Sequence, residues 1–200
     1  MILKSRGLLT TLNKSAKFNG VVLTPNGGKI VSPEDHELIA QSGIAVIDCS
    51  WAKFDEVRVK SIKANERLLP LCKAANPVNY GKDIKLNCAE ALAGALYLAG
   101  FDDQAHEVLN VFNYGPAFLA VNEFHFSQYK KCLTSEEMKQ AEQFVKDELE
   151  RDKIENRNRT LDLGPMSSDE DEDDDGEEGK QAGEEGSSSD DSEAEREYYA

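Results

Sequence analysis

Cysteine is scarce in this 200-residue chain, and its four copies, Cys49, Cys72, Cys88 and Cys132, form no C-x-x-C pair. That spacing excludes a dense disulfide framework and argues against a zinc site built from close ligand pairs. Four reduced, partly buried thiols in an intracellular protein are expected instead. The three histidines, His36, His106 and His125, lie far apart with no cysteine or acid at ligand spacing, so no metal is expected. No apolar run has the length of a membrane span, and nothing resembles a secretory signal, which leaves no membrane role. The sequence also lacks G-x-S-x-G, a P-loop, H-E-x-x-H and G-x-G-x-x-G, so no generic hydrolase, nucleotide-binding or metalloprotease chemistry is signalled.

Basic charge is the other shortage, but only in one place. Residues 164–200 hold sixteen acids against Lys180 and Arg196, a net of −14 in a chain of −15. Residues 1–163 therefore carry 22 acids and 21 bases and are close to neutral. The low pI describes a tail. A neutral body is compatible with nucleic-acid binding, which depends on a local basic patch rather than on global charge. The Ser/Asp/Glu/Gly tail has too little apolar surface to offset its chain entropy and is expected to be disordered.

Periodicity supplies the fold class. A short helix is expected over residues 3–12. Gly20-Val-Val-Leu-Thr24, closed by Pro25-Asn-Gly-Gly28, reads as strand then turn. Ser32-Pro-Glu-Asp35 opens a helix with a serine cap, a proline at the first helical position and early acids, and Gly43 ends it. Ile44-Ala-Val-Ile-Asp48 is the continuous apolar strand of a covered parallel sheet, and Leu68-Leu-Pro-Leu71 is a third short apolar run. This alternation predicts an α/β layer over residues 1–72. Helices are expected over 87–99, 102–112, 118–129 and 135–152, making residues 73–152 a helical domain and 153–200 the tail.

Two places invite chemistry. Asp48 ends a strand where parallel α/β sheets bind ligands, so it either holds an amine or hydroxyl or caps the following segment. Trp51, the only tryptophan, is either core or a pocket wall. Residues 69–87 form a long connection bearing Asn76, Asn79, Tyr80 and Gly81. Connections of that length inside a compact domain usually carry function, and backbone amides there could read an adenine edge.

The blocks Asp48-Cys-Ser-Trp51, Glu66-Arg-Leu-Leu-Pro70, Ala74-Ala-Asn-Pro-Val-Asn-Tyr-Gly81 and Lys85-Leu-Asn-Cys-Ala-Glu-Ala91 resemble the successive signatures of the 18S rRNA aminocarboxypropyltransferases. Gly20-Val-Val-Leu-Thr-Pro-Asn-Gly27 resembles the preceding strand and turn of that family. The resemblance implies a SPOUT-like parallel sheet with a trefoil knot, followed by a small all-helical domain. It implies S-adenosylmethionine as co-substrate and transfer of its 3-amino-3-carboxypropyl group to N3 of N1-methylpseudouridine in 18S rRNA. It places the ribose at the backbone of Ile47, the adenine against Leu69 and Ile84, the amino group on Asp48 and the methyl beside Trp51. No catalytic residue and no metal is implied. The implied partner is 18S rRNA within the pre-40S subunit, in the cytoplasm and nucleus, with basic ribosomal proteins as candidates for the acidic tail.

Two departures accompany the resemblance. Family members begin with a further strand and a Cys/Ser-or-Thr/Gly/Lys/Lys segment, whereas this sequence starts at Met1-Ile-Leu-Lys. An unpaired edge or an uncovered apolar face is accordingly expected beside residues 20–24 and 44–48, with poor expression and weak cofactor binding for the chain as written. Ile84 stands where the family commonly has an aromatic residue. A SPOUT methyltransferase and a non-catalytic pre-ribosome binding factor are the alternative readings.

Overall fold

The computed structural model describes residues 2–12, 17–25, 27–47 and 65–162. Asp48, Cys49, Trp51 and the acidic tail lie outside them. Residues Met1–Asp162 form one compact unit.

Three parallel strands make the sheet: β1 (Val21–Leu23), β2 (Ile44–Val46) and β3 (Asn65–Arg67), in the order β2-β1-β3. Val21 pairs with Ile44 on one side and with Asn65 on the other. All three residues of β1 are buried, as its β-branched run predicts for a central strand. A short helix α1 (Ile2–Ser5) precedes the sheet, and α2 (His36–Ser42) connects β1 to β2. Seven residues of α2 follow a 3-10 turn at Pro33–Asp35, where the Asp35 carboxylate accepts from the Ser32 N–H at 3.3 Å. Then come α3 (Cys88–Leu98), α4 (Asp102–Leu109), α5 (Gly115–Val121), α6 (Glu123–Tyr129) and α7 (Ser135–Asp162).

Sheet and helices share one core. Val21, Leu23, Ile39 and Leu71 join a cluster with Ala93, Leu98, Phe118, Tyr129 and Met138. His36 ties the two parts, its Nδ1 lying 2.8 Å from the Ala99 carbonyl and its ring stacking on Phe101 at 4.3 Å. The Ile30 N–H donates to the Ser135 hydroxyl at 2.9 Å, so α7 starts against the loop after β1. The divide expected near residue 72 lies within this common core. Among the described residues, no helix is long and apolar enough to cross a membrane.

Several elements differ from expectation. The first helix covers only Ile2–Ser5 of the expected residues 3–12. The third strand is polar Asn65–Arg67, and the apolar run after it adds only a bridge between Leu68 and Ile30. A strand forms there because β1 needs a partner for its second side, a backbone requirement that side-chain patterning does not report. Residues 118–129 are two helices broken at Asn122, and α7 runs ten residues past the expected end at 152. The edge expected beside residues 20–24 is absent, since β1 is paired on both sides; among the described residues the sheet ends at β2 and β3. Half-burial of all three β2 residues, apolar as they are, fits that edge position.

The turn after β1 is tight against β3. A Cβ on Gly27 would come within 2.6 Å of the Arg67 carbonyl carbon and 2.7 Å of the Leu68 nitrogen, both backbone atoms. A Cβ on Gly28 would meet nothing within 4 Å. Gly27→Ala is therefore expected to destabilise the fold by about 1–3 kcal/mol, while Gly28→Ala stays within about 0.5 kcal/mol of the parent. Urea denaturation midpoints of the two variants check this, and equal midpoints would contradict it.

Candidate functional site

The carboxyl ends of parallel strands are where open α/β sheets bind ligands. Here Leu23 pairs with Val46 and with Arg67, so Ile47 and Leu68 leave the sheet on either side of Thr24, and Leu69 follows directly. Arg67 fixes this edge: its guanidinium donates to both oxygens of the buried Asp35 at 2.7–3.0 Å, tying the end of β3 to the start of α2. Leu68 is held on both sides, its N–H donating to Lys29 O at 2.8 Å and its carbonyl accepting from Val31 N at 2.9 Å. Leu69 differs. Among the described residues, neither its N–H nor its carbonyl meets a hydrogen-bond partner. The Leu69 side chain lies over Gly94 of α3.

From Leu71 onward the chain is irregular, yet side chains of the helices satisfy its backbone group by group. Glu142 accepts from the Leu71 N–H at 2.9 Å, and the Tyr129 hydroxyl donates to the Leu71 carbonyl at 2.9 Å. Burial pushes the Tyr129 phenol up, so it stays a donor. Asn122 accepts from Lys73 N at 2.7 Å and donates to Lys73 O at 2.8 Å, as a neighbouring strand would. The same side-chain amide also donates to Phe118 O at 2.9 Å, where the helix is interrupted.

Glu90 completes the set. Its carboxylate is fully buried and accepts four N–H groups: Ala75 at 2.7 Å, Asn76 backbone at 2.8 Å, Asn76 side chain at 2.8 Å and Asn87 backbone at 2.9 Å. A buried carboxylate is tolerable when donors replace its lost hydration. Asn87 caps α3 in turn, accepting from Ala89 and Glu90 N–H at 3.0 Å. The N-x-x-E spacing of a capping box is thus extended to grip a loop fourteen residues earlier in the chain.

The return arm of the loop carries strain. Ile84 has φ 66°, the one non-glycine residue with positive φ among those described, and it is β-branched. Such a conformation costs about 1–3 kcal/mol and persists where surroundings impose it, most often at functional sites. The Ile84 N–H donates to Cys72 O at 2.9 Å, which sets Ile84 beside the segment that follows Leu69. Burial, with Glu142, Asp83 and Glu90 nearby, pushes the Cys72 thiol up and leaves it inert. Behind the loop, both ring nitrogens of buried His125 and the Asp83 Oδ1 lack partners among the described residues. Burial foremost, then Lys73, holds the His125 pKa below the usual histidine value, partly opposed by Asp83, so the ring stays neutral.

Of the five residues the resemblance assigns, the structure therefore places Ile47 and Leu69 at the carboxyl edge and joins Ile84 to the same segment. Asp48 and Trp51 lie outside the described residues. Glu90, Asn122, Tyr129 and Glu142 were not anticipated. The Asn87–Glu90 spacing was a visible signal for the first, and an asparagine interrupting an apolar helix was one for the second. Among the described residues, no group of three or more His, Cys, Asp or Glu side chains could hold a metal ion.

Fold and site define an α/β protein whose small parallel sheet has its carboxyl edge beside a loop that helices anchor. The family model described as ribosome biogenesis protein, C-terminal, matches residues 21–145. An 18S rRNA aminocarboxypropyltransferase of Schizosaccharomyces pombe is 40% identical over 161 residues, 80% of this chain and 56% of that protein. A 16S rRNA aminocarboxypropyltransferase of Methanosphaera stadtmanae is 44% identical over 123 residues, 60% of this chain and 71% of that one. The solved SAM-dependent rRNA:acp-transferase of Vulcanisaeta distributa superposes with a TM-score of 0.60 at 35% identity, covering 68% of this chain and 77% of that one. The chain belongs to the rRNA aminocarboxypropyltransferase family of ribosome biogenesis proteins. It spans little more than half the length of its fission-yeast relative.

Glu90→Gln keeps the volume but sets an NH2 group against N–H donors. The expected loss is about 2–4 kcal/mol, the scale for orphaning two buried donors. Urea unfolding measures it, and a loss below about 0.5 kcal/mol would show that the carboxylate is not what holds the loop.

Proposed function

We propose that this chain transfers the 3-amino-3-carboxypropyl group of S-adenosylmethionine to N3 of N1-methylpseudouridine in 18S rRNA as the small ribosomal subunit matures. The observation that carries this reading is the pairing of an unsatisfied Leu69 backbone with the strained Ile84 at the carboxyl edge of the sheet. A polar, planar ligand edge such as adenine satisfies both groups of Leu69, while Ile84 supplies apolar cover. The backbone of Ile47, directly after β2, would lie beside the ribose hydroxyls. Asp48 and Trp51, next along the chain, would hold the amino group and pack on the methyl.

The sulfonium of S-adenosylmethionine activates three carbons, so the chain's task is to choose among them. Shielding the methyl with an indole and leaving the γ-carbon toward the acceptor selects aminocarboxypropyl transfer by orientation. A bond forms from N3 of the acceptor to the γ-carbon, the γ-carbon–sulfur bond breaks, methylthioadenosine leaves, and the N3 proton passes to solvent. No acid/base pair is needed to activate this leaving group.

The same reading includes a SPOUT-like trefoil knot and, beyond the end of α7 at Asp162, a disordered acidic tail that engages basic ribosomal proteins. Its setting is the pre-40S particle, in the cytoplasm and the nucleus.

Asp48→Asn is expected to weaken S-adenosylmethionine binding by about 1–3 kcal/mol, the scale for losing a charged hydrogen-bond partner. Isothermal titration calorimetry checks it, with mass spectrometry of an 18S-derived RNA reading the transferred group. Unchanged affinity would return Asp48 to a capping role, and a methylated rather than an aminocarboxypropylated product would replace this reading with methyl transfer.

A further inference from the structure

The tip of the loop, residues 75–81, is closed at its base and apolar at its crown. Gly81 N–H donates to Ala74 O at 2.7 Å and Ala74 N–H to Lys82 O at 2.9 Å, beside the bridge between Lys73 and Asp83. Inside it, Asn79 N–H donates to both the backbone and side-chain oxygens of Asn76, and Pro77 fixes one dihedral. Glu90 grips Ala75 and Asn76 from below. Yet Val78 is 84% exposed and Tyr80 62% exposed. The fold holds this tip rigidly while leaving an aromatic ring and a branched aliphatic side chain in water, which opposes the hydrophobic effect unless something covers them.

Charge narrows what could cover them. Residues 71–87 carry Lys73, Lys82 and Lys85 against Asp83 alone, a net of +2 in a chain of −15. A positive segment bearing an exposed aromatic disfavours a basic protein partner and suits a polyanion. Unpaired RNA bases stack on exposed aromatic side chains, whereas bases within an A-form helix offer no free face. Tyr80 also stands four residues before Ile84, on the loop assigned to the cofactor, so a base held there would lie on the same loop as the reacting group.

We propose that residues 76–82 are a docking platform on which Tyr80 stacks one unpaired base of the substrate rRNA while Lys82 neutralises an adjoining phosphate. This rests on the functional reading above and deepens it by naming where a second nucleotide is held. Because the platform is ordered in advance, stacking is not offset by the cost of fixing the loop.

The test uses the full chain, a fluorescein-labelled RNA hairpin whose single-stranded loop carries the acceptor uridine, and a blunt RNA duplex of equal length. Tyr80→Ala is expected to weaken hairpin binding about 5- to 100-fold, with duplex binding, S-adenosylmethionine affinity and melting temperature unchanged. Tyr80→Phe retains hairpin affinity, because the ring and not the hydroxyl stacks. Lys82→Ala weakens both RNAs and lowers the salt dependence of binding by about one counterion. Full hairpin affinity in Tyr80→Ala, or equal losses in Tyr80→Ala and Tyr80→Phe, would overturn the platform. A parent chain that binds S-adenosylmethionine and transfers the group, with Tyr80→Ala at full RNA affinity, removes only this inference. A parent chain that does neither removes the functional reading beneath it.

Discussion

A single buried carboxylate organises the loop that packs beside the carboxyl edge of the sheet. Glu90 sits in the first turn of α3 with no cation against it among the described residues, and four N–H groups take the place of water. The helix N-terminus adds favourable partial charge to the same spot. Through those contacts one residue caps its own helix, fixes the turn at Ala75 and Asn76, and sets the start of the loop relative to its end at Asn87. The strained Ile84 and the exposed Tyr80 both lie between those anchored points. Neither position would persist in a loop free to relax, since strain is relieved and apolar side chains fold inward when nothing prevents it.

The rest of the site follows the same logic of side chains standing in for a missing strand. Residues 71–76 run irregularly, and Glu142, Tyr129, Asn122 and Glu90 in turn satisfy their backbone groups. Leu69, just upstream, is left out of this arrangement. Backbone groups without a protein partner stand out where their neighbours are so thoroughly paired. On the sheet side, Asp35 and Arg67 with the tight turn at Gly27 hold the strand ends that carry Ile47 and Leu69. Firm walls on both sides of such an edge are what the proposed ligand site requires.

Much of this was legible in the residues themselves. The β-branched run at Val21–Leu23 read as a strand closed by a turn, the serine-proline start precedes α2, and Asn87 with Gly100 brackets α3; the strand at Ile44–Val46, expected to be covered on both faces, is instead a half-buried edge. The polar strand Asn65–Arg67 was not legible, because it is recruited by the hydrogen-bonding need of β1 and not by its own side chains. The break at Asn122 was hidden in an apolar stretch, because the partners of its side chain are a carbonyl and an amide of Lys73, 49 residues away. The extension of α7 to Asp162 rests on local helix propensity in an exposed sequence, which periodicity does not register. For the site, the blocks of motif indicated which segments meet, while Glu90 as their common anchor and the positive φ of Ile84 required the fold.

In the proposed function, a helix-anchored loop and the carboxyl edge of the sheet form a preorganised S-adenosylmethionine site. Amide hydrogen exchange, measured residue by residue with and without saturating S-adenosylmethionine, tests it directly. Ala75 and Asn76 should already exchange slowly in the free chain, and the Leu69 amide should pass from fast to slow when the ligand is added. Fast exchange at Ala75 and Asn76 in the free chain, or a Leu69 amide indifferent to the ligand, would contradict it.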